Sequence, residues 1–329
     1  MIIDPYVPFR GEHCETTAMG NLLSHAGIRL SEPMLFGIGE GLGFIYWNSK
    51  GMDFPFIGGR VKPDELTTRI AQRLNLQLNV SETTSSAKAW LHVKGSIDRG
   101  IPVGLKLDCY HLDYFNSKVH FAAHYIAMYG YDEEYAYVAD TSQQGDMTKT
   151  RLSTLALARS ERGPMSSRNL SYTIDKTSAL PQLDSLLRAS ISSNAYQYLN
   201  PPIRNIGIRG IETMSKAVLK WPTSDDPNLA HHLGMTALMM ERGGTGGALF
   251  RNLYRDFLLE SLEVLGDSRI EQAYQQFIGI AQLWNEVSAS IDHAGRSGNL
   301  DELRRTSELL MQTARKEREA MELLLDIDK

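Results

Sequence analysis

The spacing of apolar residues changes partway along this chain of 329 residues. Beyond about residue 185, apolar side chains recur every three or four positions, as they do from Ile270 to Ile291, which predicts amphipathic helices. Before about residue 150 the apolar runs are short and separated by glycine-rich stretches, which is typical of strands. We therefore predict an α+β domain over residues 1–150, a linker or packed loop over 151–185 and an α-helical domain over 186–329.

The first domain is predicted to place one helix ahead of an antiparallel sheet. A helix is expected from Cys14 to Ala26, because its apolar residues share one face and a glycine follows as a stop. The predicted strands are Val103 to Leu107, Tyr125 to Tyr129 and Tyr135 to Ala139, and the last two form a hairpin around Gly130 to Glu134.

Composition excludes several classes of function. The chain has only two cysteines, so neither a disulfide framework nor a cysteine-rich zinc site is expected. Its formal net charge is −5. Without a wide basic field, nucleic acid and membrane lipid are not expected partners, and a small molecule or a protein is favoured. No run approaches the roughly 18 apolar residues of a membrane helix, and the first residues lack the layout of a signal peptide, which predicts a cytoplasmic protein.

Three residues of the first domain have the positions that nucleophilic catalysis requires. If Tyr129 pairs with Tyr135 in the hairpin, His124 faces Asp140 at about 5 Å between Cβ atoms, so the carboxylate can orient the imidazole. Cys14 begins the predicted helix, where unpaired N–H groups and the helix dipole stabilise a thiolate and an oxyanion. Each residue alone also fits a packed, structural role. Their combination favours a nucleophile, a base and its orienting group.

Two glycine-rich stretches are candidates for ligand contact. Gly39 to Phe44 surrounds Glu40, the member best suited to contact a substrate amine, and a tight structural turn is the alternative. Gly243 to Gly247 opens a helix, which suits a phosphate. That stretch lacks the lysine and hydroxyl residue of a P-loop, so nucleotide hydrolysis is not expected, and a plain helix-entry loop is its alternative.

Two histidine-containing segments are further candidates for a site. The loop from Asp108 to Asp113 follows a predicted strand, so we expect it to line the same cleft. His120 and His124 have the spacing of a metal-binding helix, yet the segment is predicted as a strand and lacks the glutamate of the metalloprotease motif, so no metal site is expected. The mixed charge from Asp301 to Lys329 is typical of a solvated face, and homo-oligomerisation through this helix stays open.

Longer motifs in both halves resemble known families. A cysteine at a helix start, followed by His-Tyr-Ile-Ala-Met-Tyr-Gly-Tyr-Asp from His124 and Tyr-Val-Ala-Asp-Thr from Tyr137, resembles the papain-like cysteine-peptidase fold, particularly its bacteriocin-processing branch. A narrower resemblance is to the N-terminal domain of the butirosin biosynthesis protein H family, in His13 to Thr17, Gly20 to Leu23, Gly39 to Phe44 and His120 to His124. The second half is similar to the helical domain that accompanies it, in Asn200 to Pro202, Gly207 to Ile211 and Glu241 to Gly247.

The resemblance implies an acyltransferase of natural-product biosynthesis. The member after which the family is named moves an aminoacyl group from an acyl carrier protein thioester to an amine of an aminoglycoside. Cys14 would then accept the acyl group, His124 would act as the base and Asp140 would orient it. The implied donor is an acyl or peptidyl carrier protein and the acceptor a small-molecule amine. No cofactor is implied beyond the phosphopantetheine arm that the carrier brings.

Two alternatives use the same fold. One is a cysteine peptidase or amidase in which water takes the acyl group, because the first half-reaction is shared. The other is a non-catalytic binding protein. The resemblance and the loop positions together suggest a substrate-binding set of His13, Glu40, Gly41, Tyr110, His120, Arg242 and Gly244.

One departure from the papain-like pattern concerns the oxyanion. Papain-like peptidases place a glutamine a few residues before the cysteine, and Tyr6 to His13 contains none. The backbone N–H of Cys14, or the side chain of Arg10 or His13, is expected to replace it.

Overall fold

The structure, a computed structural model, describes residues 1–116, 119–163, 165–176, 178–221 and 227–328. Its helices there are α1 (Cys14–His25), α2 (Glu32–Ile38), α3 (Glu65–Arg73), α4 (Ser86–Ile97), α5 (Leu152–Ser160), α6 (Leu183–Leu199), α7 (Gly207–Ala217), α8 (Leu229–Arg242), α9 (Arg251–Leu265), α10 (Ser268–Ser297) and α11 (Glu302–Leu324). Its strands are β1 (Leu42–Trp47), β2 (Phe56–Arg60), β3 (Leu76–Ser81), β4 (Val103–Leu107), β5 (His124–Tyr131), β6 (Tyr135–Ala139), β7 (Met147–Arg151) and β8 (Ser171–Lys176).

The chain divides into two compact units. The N-terminal unit comprises Met1–Leu35 and Pro63–Pro181, and the helical unit comprises Phe36–Lys62 and Gln182–Lys329. The predicted α+β class, in which a helix packs on an antiparallel sheet and a helical region follows, is confirmed.

The N-terminal unit is built on a six-stranded antiparallel sheet in the order β3-β8-β4-β5-β6-β7. Strands β4 and β5 are buried along nearly their whole length, as expected of apolar runs that are covered on both faces. Val103, Leu105 and Leu107 of β4 share a core with residues of α4 and α5, and α1 also packs on β4 and β5. Helix α1 is therefore anchored on the central strands, which fixes the position of its first residue.

The β5–β6 hairpin forms as predicted, but its predicted register was wrong. The prediction paired Tyr129 with Tyr135, whereas the structure pairs Tyr131 with Ala136 next to a β-bulge. Asp132 closes a tighter turn than expected, because its side chain accepts two backbone N–H groups within the turn. Local turn chemistry and a bulge of this kind are invisible in the alternation of apolar residues.

The two units divide the chain differently from the predicted boundaries. Residues 151–185 were expected to be a linker or packed loop, yet they contribute α5 and β8 to the N-terminal unit, where β8 pairs with β3 and β4. Residues 36–62 were placed in the first domain, yet they belong to the helical unit, where β1 and β2 form a hairpin. Contacts between segments that are distant in sequence decide both assignments. A local change in composition does not reveal such contacts.

The helical unit follows the predicted periodicity. The predicted stripe of α10 is buried throughout: Ile270, Ala273, Phe277, Ile280, Trp284, Val287 and Ile291. Helix α9 begins at Arg251, because the three preceding residues have positive φ angles, which a right-handed helix does not accommodate. Among the described helices, none combines the length and apolarity that a membrane span requires.

A buried ion pair lies at the centre of the helical unit. Arg251 donates from Nε to Oε1 of Glu317 at 2.7 Å and from Nη2 to Oε2 at 3.2 Å, and both side chains are fully buried. Trp284 Nε1 donates to Glu317 Oε1 at 2.6 Å, and the Tyr198 hydroxyl donates to Oε2. The guanidinium also lies 4.6 Å from the centre of the Trp284 ring. The buried carboxylate therefore accepts hydrogen bonds from three side chains, as a buried charge requires.

Candidate active site

Cys14 is the first residue of α1, and it is buried. The preceding residue, His13, has extended backbone and supplies no side-chain cap for the helix. The N–H groups of a first helical turn have no acceptor within the helix, and the positive end of the helix dipole lies there. The Cys14 sulfur therefore lies where the fold stabilises negative charge.

The chain that enters α1 is held by Glu32 of α2. Its carboxylate accepts the N–H groups of Glu12 at 2.8 Å and His13 at 2.9 Å, and the hydroxyl of Thr16 at 2.7 Å. Three donors on one carboxylate fix the backbone on both sides of Cys14. Glu32 was not predicted, because no motif or spacing in the sequence links it to Cys14.

His124 begins β5 and Asp140 directly follows β6. The His124 Nε2 atom lies 2.9 and 3.1 Å from the two carboxylate oxygens of Asp140. Cys14 also lies beside this imidazole, because its charge contributes to the raised pKa of His124. Since Nε2 faces Asp140, Nδ1 is the nitrogen left for the sulfur. The three side chains predicted for catalysis thus meet in the N-terminal unit, although the register that suggested the pairing was wrong.

Asp140 is fully buried and accepts two further hydrogen bonds. The N–H of Thr141 donates to Oδ1 at 2.7 Å, and the hydroxyl of Tyr114 donates to Oδ2 at 2.8 Å. The Phe115 ring meets the His124 ring edge-on, with centroids 5.1 Å apart. Tyr114 and Phe115 were not predicted, because they lie in an irregular loop that no sequence motif connects to Asp140.

The pKa of His124 is raised well above its ordinary value. Burial lowers this pKa, but the negative charges of Asp140 and Cys14 and their hydrogen bonds to the ring outweigh burial. The protonated form of His124 is therefore favoured in the folded protein. Because the folded-state pKa is raised, its contribution to stability is fully present below the unfolded pKa of about 6.5 and is lost as pH rises through the folded-state pKa.

Two neighbours of the site are held in their neutral forms. Burial and the adjacent Asp140 raise the pKa of Tyr114, so it stays a hydroxyl donor. Burial raises the pKa of Cys109, and its sulfur lies 3.6 Å from the Val119 carbonyl oxygen. Cys109 is therefore a neutral, buried thiol.

The three groups considered for the oxyanion differ in their surroundings. The Arg10 side chain is 75% exposed and pairs with Asp146 at 3.3 Å. The His13 ring is buried, with Nδ1 3.4 Å from the Thr16 hydroxyl. The backbone N–H of Cys14 lies at the start of α1, next to the Cys14 sulfur. Of the three groups, it is the donor best placed for the oxyanion that would form when this sulfur attacks a carbonyl group.

Three residues of the predicted substrate-binding set lie in the N-terminal unit. His13 is next to Cys14, and the rings of Tyr110 and His120 stack with centroids 3.9 Å apart. Tyr110 follows Cys109, whose pKa responds to the charge of His124. The stacked pair therefore belongs to the part of the unit that also holds His124.

The other four predicted substrate-binding residues lie in the helical unit: Glu40, Gly41, Arg242 and Gly244. Glu40 is buried and accepts hydrogen bonds from Ser193 Oγ at 2.9 Å and Gln197 Nε2 at 2.6 Å. Arg242 is exposed at the end of α8. The observed contacts of Glu40 tie the segment before β1 to α6.

Comparison with known proteins adds two family matches and one structural similarity. Residues 13–141 match the N-terminal domain of butirosin biosynthesis protein H, and residues 153–324, more than half of the chain, match the domain of unknown function DUF4872. A crystal structure described as a C39-like peptidase from Bacillus anthracis is similar at 18% identity and a TM-score of 0.38, covering 54% of this chain and 98% of that one. No curated protein matches the chain.

The two family matches agree with the motifs that carried the resemblance in the sequence. The first covers the helix of Cys14 and the β5–β6 hairpin, and the second covers α5 to α11. The chain therefore belongs to the DUF4872 family, and ahead of that domain its residues 13–141 match the N-terminal domain of butirosin biosynthesis protein H.

Proposed function

We propose that the protein is a Cys14-dependent acyltransferase that moves an acyl or aminoacyl group from a thioester to an amine in natural-product biosynthesis. The observation that carries the proposal is the placement of Cys14, at the start of α1, beside the His124 imidazole, whose Nε2 atom lies 2.9 Å from the buried Asp140 carboxylate. The match to a butirosin biosynthesis domain favours a biosynthetic substrate over a protein substrate.

The first half-reaction acylates Cys14. The thiolate attacks the carbonyl carbon of the thioester, and the oxyanion forms beside the start of α1, where the Cys14 N–H is the proposed donor. The carbon–sulfur bond of the donor then breaks, and the His124 imidazolium gives its proton to the departing thiolate. The acyl group is now a thioester on Cys14, and the donor leaves as a free thiol.

The second half-reaction transfers the acyl group to the acceptor. Neutral His124 takes a proton from the attacking amine, the new carbon–nitrogen bond forms, and the bond to the Cys14 sulfur breaks. Asp140 keeps the imidazole oriented through Nε2 and stabilises the imidazolium that results. If water takes the place of the amine, the product is a free acid, which is the hydrolase alternative.

The proposed partners follow from this chemistry. The donor is an acyl or peptidyl carrier protein that presents its thioester on a phosphopantetheine arm, and the acceptor is a small-molecule amine. The steps above need no cofactor other than that arm, which arrives as part of the donor.

The dependence of turnover on an amine tests transfer against hydrolysis. The full-length protein is given acyl thioesters with and without a panel of primary amines, and amide and free acid are quantified. We expect amide to form only with an amine, and to be lost in Cys14→Ala but retained in the matched cysteine variant Cys109→Ala. Release of free acid at the same rate with and without an amine would contradict transfer and favour the hydrolase.

A further inference from the structure

Two histidines and a glutamate that the acyl-transfer chemistry does not use lie close together in the N-terminal unit. His111 ends the short turn after β4, His120 precedes β5, and Glu161 directly follows α5. One possible ligand atom from each lies within 4.8 Å of the other two. The His111 Nε2 atom is already 2.6 Å from Glu161 Oε2.

The His120 ring is oriented by a buried carboxylate. Its Nδ1 atom lies 3.0 Å from Asp108 Oδ2, and the Asp108 side chain is 3% exposed. Asp108 is itself fixed by the N–H groups of Tyr110 and Phe121, each 3.0 Å from Oδ1. Because Nδ1 donates its proton to Asp108, Nε2 is the unprotonated nitrogen that can bind a cation. The His120 side chain is 59% exposed, so an ion can reach it from solvent.

We propose that His111, His120 and Glu161 form a binding site for a divalent ion of the zinc class. Two imidazoles and one carboxylate are a common ligand set for zinc with one coordination position left open. Nitrogen ligands favour zinc and its transition-metal neighbours over magnesium and calcium. The carboxylate that orients His120 completes the carboxylate–histidine–metal arrangement found at such sites.

The ion would join the turn that ends at His111, the chain at His120 before β5, and Glu161 at the end of α5. Residues 112–119 lie between the two histidine ligands, and Tyr114 and Phe115 of that segment contact Asp140 and His124. Glu161 would attach both ends of the segment to the end of α5. Metal binding is therefore expected to stabilise the loop that supports the orienting carboxylate.

Zinc binding to the full-length protein, freed of any affinity tag and treated with a chelator, tests the proposal without an activity assay. The titration uses Cys14→Ala as the parent, so that zinc bound by the catalytic thiol is not counted. We expect one ion per chain, and at least a tenfold loss of affinity in His120→Ala and in Glu161→Gln. His293→Ala is the matched control. His293 is 60% exposed and also lies beside a glutamate, 3.6 Å from Glu302, yet it belongs to no such cluster among the residues that the structure describes.

A second measurement keeps the test independent of folding defects. Asp108→Asn keeps the size of the side chain that orients His120, and loss of such an orienting group typically weakens metal binding about 10- to 100-fold. Each variant is checked by circular dichroism, and Co²⁺ absorption reports ligand geometry in those that fold. The proposal is overturned if the parent binds no zinc, or if His120→Ala and Glu161→Gln bind it as tightly as the parent does.

Discussion

Asp140→Asn is expected to slow acylation of Cys14 by about 10⁴-fold while leaving the fold intact, by analogy with loss of the orienting carboxylate in serine-protease triads. Asparagine fills the same space but cannot stabilise an imidazolium as a carboxylate does. Its amide can also favour the wrong tautomer of His124. The rate of thioester consumption under single-turnover conditions measures the effect.

The same variant has a pH signature. Asp140 raises the pKa of His124, so its removal lowers that pKa toward the ordinary value. The activity that needs protonated His124 is present below the pKa and is lost above it, so the alkaline limb of the profile should move to lower pH in Asp140→Asn.

Asp146→Asn is the matched control for both effects. Asp146 is a nearby surface carboxylate that pairs with the exposed Arg10, and its positive φ suits asparagine. We expect its rate and pH profile to stay close to wild type. An Asp140→Asn protein that kept wild-type rates would contradict the orienting role.

The second large effect concerns stability rather than chemistry. Glu317→Ala is expected to lower the free energy of unfolding by about 3–5 kcal/mol, because it leaves the buried Arg251 guanidinium without its counter-charge. It also removes the acceptor of Trp284 and of Tyr198. Urea unfolding followed by circular dichroism reports the change through the helices.

Glu212→Ala is the control for this ion pair. Glu212 pairs with Arg318 at 2.8 Å, but the two side chains are 37% and 41% exposed, and exposed pairs contribute about 0–1 kcal/mol. An equal decrease in the free energy of unfolding in Glu317→Ala and Glu212→Ala would contradict this account. It would show that burial of the Arg251–Glu317 pair does not determine how much the pair contributes to stability.

Features set by local pattern were predictable from the sequence. Helix α10 and the bounds of β4 follow from apolar spacing, and α1 follows from spacing and its glycine stop, because period and stop residues act within a few positions. The register of the β5–β6 hairpin was not predictable, because the Asp132 side chain and a bulge set it. His124 and Asp140 still meet, since residues at the ends of adjacent strands stay neighbours after a small shift.

Features set by long-range contact were not predictable. Tyr114 reaches Asp140 from an irregular loop, and Glu32 reaches the chain before Cys14 from another helix. Glu40 was expected to contact a substrate amine, but the sequence could not show that Ser193 and Gln197 already bind its carboxylate. Such partners are chosen by the tertiary fold, which a motif of a few residues does not encode.

Intact mass spectrometry of the protein after brief exposure to acyl thioesters without an amine tests the central claim most directly. We predict a mass increment equal to the acyl group on wild-type protein, no increment on Cys14→Ala, and loss of the increment when an amine is added. A panel that includes carrier-protein thioesters covers the proposed donor. An increment of the same size on Cys14→Ala, or none on wild type with any donor while free acid accumulates, would contradict acyl transfer through Cys14.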